Sequence, residues 1–143
     1  MTLPAPKNVL RIAMNFCLVG WGGSAIYQVS HVGPGYYGTG LTHELIIFFF
    51  VGLLAFALFF LEYHFVERIS KRELNRELGY LQSLSCFLIF IFGILALCYS
   101  YSWKVDSVNA AFPDYVLEFI LAFGHLVFLG NVAWTYIQER SAS

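Results

Sequence analysis

Charged side chains are scarce in this sequence, at 12% of 143 residues, and they nearly cancel to a formal net charge of −1. A nucleic-acid partner needs a lysine- or arginine-rich face, so that class is excluded. Cysteine is also rare: Cys17, Cys86 and Cys98 are the three, and no two stand two residues apart. Neither a redox pair nor a zinc knuckle is therefore expected, and the thiols read as small apolar residues. No low-complexity tract occurs and the termini are short, so no soluble domain is expected beside the membrane part. No Gly-Lys-Ser/Thr follows the glycine-rich stretch near the start, which excludes a phosphate loop.

Apolar residues fill the space that charge leaves, at 59% of the chain, with 19% aromatic. They are gathered into four blocks of membrane-spanning length, residues 9–29, 44–65, 80–103 and 115–137. About 20 helical residues cross a hydrocarbon core of about 30 Å, whereas barrel strands alternate over about 10. The expected fold is all-α: a single polytopic domain of four transmembrane helices, arranged as two hairpins joined by a charged link. No lysine falls inside a span, so a retinal Schiff base is excluded.

Basic residues set the expected orientation. Lys7 and Arg11 precede or open the first span, Arg68, Lys71, Arg72 and Arg76 lie between the second and third, and Arg140 follows the fourth, against Lys104 alone on the other side. Both termini are thus expected on the cytoplasmic side or its topological equivalent. The first span is long and rich in polar residues and glycine, and is read as a retained helix rather than a cleaved leader. The link VERISKRELNRELG has acid–base neighbours three and four apart and is expected to extend the flanking helices. In the outer loops, Pro34, Tyr36 and Tyr37 read as part of a turn-rich cap, and Asp114 as a helix N-terminal cap.

Candidate site residues are the polar groups stranded among apolar ones. His125, in AFGHLVFLGN, stands near the middle of the fourth span, where charge is most costly. It reads as a neutral tie donating a hydrogen bond to a neighbouring helix. Haem ligation there would need a second axial ligand at matching depth, and neither His43 nor His64 qualifies on a rise of about 1.5 Å per residue. No cofactor is expected. Glu62 and His64 stand close to the inner end of the second span, where they are expected to snorkel towards headgroups. No metal site is expected, since no recognisable ligand spacing occurs. In GWGGSA, Gly20, Gly22, Gly23 and Ser24 form a small-residue face suited to close helix packing, within this chain or against a partner. FLIFIF, residues 87–92, puts large apolar side chains on every face and reads as lipid-facing or partner-facing.

The ending NVAWTYIQER, with Asn131, Trp134, Thr135 and Tyr136, resembles the close of a hairpin in GtrA-like small four-helix membrane proteins, and FCLVGWGG resembles that family's opening. The resemblance implies movement of a polyprenyl-phosphate-linked sugar across the membrane, with Asn131 and Thr135 contributing to the phosphate or sugar site. Read from the residues alone, the absence of a catalytic constellation points elsewhere. The expected role is a non-enzymatic accessory subunit, in contact with membrane lipids and with other membrane subunits or copies of itself.

Overall fold

The computed structural model describes residues 5–31, 40–71, 73–102 and 112–140, and the turn-rich cap around Pro34 lies outside them, as does the side chain of Asp114. Four helices follow one another: α1 (Pro6–His31), α2 (Leu41–Ser70), α3 (Arg76–Ser102) and α4 (Phe112–Arg140). Each contains a stretch long and apolar enough to cross a membrane, and no strand occurs among the described residues. The chain is therefore an all-helical, multi-pass membrane protein.

All four helices outrun the apolar blocks that announce them at one or both ends. α2 has 30 residues, or about 45 Å at 1.5 Å per residue, well beyond a hydrocarbon core of about 30 Å. Its extra turns are made from the charged link, as the spacing of acids and bases there predicts. α2 stops where Lys71 turns into the left-handed region, with φ 55° and ψ 28°. Asn75 then starts α3 by accepting the Leu78 N–H on its side-chain oxygen at 3.0 Å, the usual work of an N-cap asparagine. Asn75→Ala is expected to cost about 1 kcal/mol, read as a lower thermal midpoint in lipid nanodiscs. Pro6 opens α1, a position that asks nothing of its missing N–H.

The two hairpins pack so that α2 and α3 form the centre. α1 lies against α2 and α3, α4 lies against α3 and α2, and α1 and α4 do not meet among the described residues. Between membrane helices there is little hydrophobic drive, so association depends on close van der Waals fit. Here the fit is made by phenylalanine rings pressed onto glycines. The Phe90 ring fills the place a side chain at Gly52 would take, Phe49 does so at Gly20, and Phe59 at Gly124, while Phe48 and Val116 close on Gly93. Phe48 stacks on Phe90 at 4.8 Å between centroids, and Phe56 meets Phe90 edge-on at 5.5 Å.

One expectation narrows on this frame and another changes. Of the small-residue face on α1, only Gly20 receives a ring; a side chain at Gly22 or Gly23 would meet nothing within 4 Å among the described residues, so of the two packings expected of them the one within the chain is not seen there. Ser24 is half-buried. The FLIFIF run is divided rather than uniformly outward, because Phe90 is fully buried whereas Leu88 and Phe92 are exposed. A helix in a four-helix bundle always turns one side inward, and Gly52 gives that side its seat.

Candidate functional site

The polar residues of the spans meet where α2, α3 and α4 pass one another, and Gly124 is the reason they can. Its missing side chain admits the Phe59 ring, which draws α2 and α4 together. Glu62 and Tyr63 follow Phe59 by three and four residues, so they lie on the same side of α2 one turn further on. On α4, His125 adjoins Gly124, and Phe128 and Asn131 continue along that side.

Glu62 Oε1 lies 2.7 Å from His125 Nε2. The other ring nitrogen, Nδ1, is 2.7 Å from the Leu121 carbonyl oxygen one turn back on α4. A carbonyl can only accept, so Nδ1 carries a hydrogen and donates it. The Phe59 ring meets the imidazole edge-on, with centroids 5.3 Å apart. Glu62 Oε2 is buried and has no hydrogen-bond partner among the described residues. The pair is not sealed: the side chains of His125 and Glu62 are 38% and 20% exposed, and Leu61 and Leu126 beside them face outward.

Deeper in the bundle, a second polar group closes on itself. Tyr63 donates its hydroxyl to Gln82 Oε1 at 2.6 Å, and Gln82 Nε2 donates to the Gly124 carbonyl at 2.6 Å. Asn131 Nδ2 donates to the Asn75 carbonyl at 3.1 Å and, more weakly, to Tyr63 Oη at 3.4 Å. Thr135 donates to the Asn131 carbonyl at 2.9 Å and accepts from the Asn75 N–H at 3.3 Å. Gln82 and Asn131 are each 1% exposed. Asn131 Oδ1 is the one side-chain atom of this group, among the described residues, left buried without a partner.

The residues singled out from sequence are thus separated into three sets. His125 and Glu62 come together, and Glu62 is turned inward onto a base rather than snorkelling to headgroups. His125 ties two helices as expected, but through a carboxylate rather than through a carbonyl, serine or tyrosine of the neighbour. Asn131 joins the deeper network. His64, Trp134 and Tyr136 take no part in either group: all three are exposed, and His64 lies parallel to the Phe60 ring. Among the described residues no three of His, Cys, Asp and Glu gather as a metal site would require.

Tyr63, Gln82, Asn75 and Gly124 carry the site without having been singled out. Gln82 had a readable signal, as an amide inside an otherwise apolar span. Gly124 had none, since its importance depends on where Phe59 falls.

Compared with protein-family models, with curated proteins and with solved structures, the chain matches none.

The outward pair gives a measurable test of coupling. His125→Leu is expected to cost about 1–2 kcal/mol, because it strips the hydrogen bond that joins the two helices and leaves a carboxyl facing an apolar side chain. The double variant Glu62→Leu/His125→Leu is expected to cost less than the two single changes summed. Unfolding of all three variants in one lipid environment checks this, and strict additivity would show that the two groups do not interact.

Proposed function

We propose that this chain is a non-enzymatic accessory subunit of a larger membrane complex, holding its partners through its helices, with both termini on the cytoplasmic side. The observation that carries the reading is how the polar groups are spent. Asn131, Tyr63, Gln82 and Thr135 bond to one another and to the α2–α3 link, and His125 bonds to Glu62. A carrier for a lipid-linked sugar would need such groups turned into a groove for phosphate and hydroxyls. Here they stiffen a bundle instead.

The outward surface supports the same reading. Gly22 and Gly23 on α1 have open space before them, which lets a partner's backbone approach closely. α1 and α4, which do not meet among the described residues, leave broad apolar faces, with Val19, Ile26 and Leu126 strongly exposed. Lipid can cover these faces, and so can neighbouring helices.

Native mass spectrometry of the protein extracted gently from its own membrane tests the proposal. Fixed stoichiometry with other chains is the expected result. Arrival alone or as a small homo-oligomer with a bound polyprenyl phosphate would overturn it in favour of the carrier that the GtrA-like ending implies. A companion change is Gly23→Leu, expected to alter the stability of the isolated chain by less than about 0.5 kcal/mol while reducing the fraction recovered with partners.

A further inference from the structure

The hydrogen-bond arithmetic of the outward pair leads beyond a packing role. His125 Nδ1 is committed as a donor to the Leu121 carbonyl, so a neutral imidazole can offer only a lone pair at Nε2. That nitrogen lies 2.7 Å from Glu62 Oε1, a distance at which two lone pairs would repel and two hydrogens would collide. One proton must lie between them. The couple is then neutral overall in either of two forms, carboxylic acid with imidazole or carboxylate with imidazolium. They interconvert when the O–H bond breaks, leaving its electron pair on oxygen, as the nitrogen lone pair takes the proton. Neutrality in both forms is what an apolar surface favours.

The surroundings leave this proton to the two of them. On α2, Tyr63 is turned to Gln82, Glu67 is paired with Lys7, and His64 lies over Phe60. From α1, Arg11 sits over the Phe60 ring, 5.4 Å from its centroid. From α3 come the uncharged Gln82 and the buried Cys86, whose thiol is directed at the Ile120 carbonyl. On α4, Glu118 is exposed two turns before His125. Among the described residues none of these forms an ion pair with Glu62 or His125. The couple lies at the surface of the bundle, with the His125 side chain 38% exposed.

We propose that Glu62 and His125 form a proton-binding site that holds one shared proton between α2 and α4. The site does not depend on the accessory-subunit reading and would serve a lone protein equally well.

The test is nuclear magnetic resonance of the full chain in lipid bilayers, with 15N-labelled histidine and 13C-labelled glutamate, titrated from roughly pH 4 to pH 10. The expected result is that His125 Nδ1 stays protonated throughout, while His125 Nε2 and the Glu62 carboxyl carbon change together at a common midpoint. Glu62→Gln keeps a donor for Nε2 and is expected to abolish that His125 transition or move it by more than about one pH unit. Glu118→Gln is expected to leave it unchanged. Separate midpoints in the unaltered protein, no response over the whole range, or an identical His125 transition in Glu62→Gln would each overturn the proposal. If Glu62→Gln does not fold, the common midpoint of the unaltered protein decides alone.

Discussion

Gly124→Leu is expected to destabilise the bundle by about 3 kcal/mol, the upper end of the usual cost of overpacking. The Cβ of any larger residue would clash with the tip of the Phe59 ring, and that ring is itself 1% exposed, so it must push against its buried neighbours to give way. The change also separates α2 from α4 at the place where Glu62 meets His125 and where Gln82 meets the Gly124 carbonyl. Gly130, on the same helix, has nothing within 4 Å of the added carbon. Gly130→Leu should therefore shift the thermal midpoint little. Adding Phe59→Ala to Gly124→Leu should recover part of the loss, because one large group then replaces another of similar size. Equal melting of the two glycine variants would show that the ring-on-glycine fit does not hold the helices.

The same residue shows why the site was harder to read from sequence than the spans. Scarce charge and four apolar blocks identify four membrane helices by length alone, and the charged link announces its own helicity through acid–base spacing. Pairing across helices leaves no such trace. Gly20 and Ser24, four apart with Gly22 and Gly23 beside them, read as a packing face from spacing alone, yet the notches that receive Phe90 and Phe59 are the isolated Gly52 and Gly124. Each is defined by a ring dozens of residues away.

Depth reckoning failed for Glu62 for a different reason. Counting from the ends of the apolar blocks sets Glu62 well below His125, on the assumption that the second and fourth spans sit level. In the fold Glu62 stands 21 residues after Leu41, and His125 stands 13 after Phe112. α4 is therefore displaced along α2 by eight residues, about 12 Å, and the displacement brings acid and base to one height. The stagger follows from the seating of Phe59 on Gly124, which no count of apolar residues contains. Asn131 was legible as a polar group in a span, but its partner Asn75 lies in the link, where every polar residue looks solvated.

Gln82→Leu is the second change with a large expected effect, about 1–3 kcal/mol for the loss of two membrane hydrogen bonds. The side chain is fully buried and bridges α2 to α4 from α3, accepting from Tyr63 and donating to the Gly124 carbonyl, both at 2.6 Å. The losses are not equal. Gly124 O keeps its helical bond to the N–H four residues on, whereas the Tyr63 hydroxyl is left buried with no acceptor at that distance, and its donor goes unsatisfied. Most of the cost should therefore disappear when Tyr63→Phe is added, making the double variant more stable than Gln82→Leu alone. Ser83→Ala, one residue away, removes only a bond to the Gly79 carbonyl within α3 and should cost much less. Melting of the three variants in the same nanodiscs separates a network that joins three helices from polar groups that merely satisfy their own helix. If Tyr63→Phe fails to rescue Gln82→Leu, the stabilisation lies in side-chain shape rather than in the hydrogen bond, and the polar core would be tolerated by the bundle rather than holding it together.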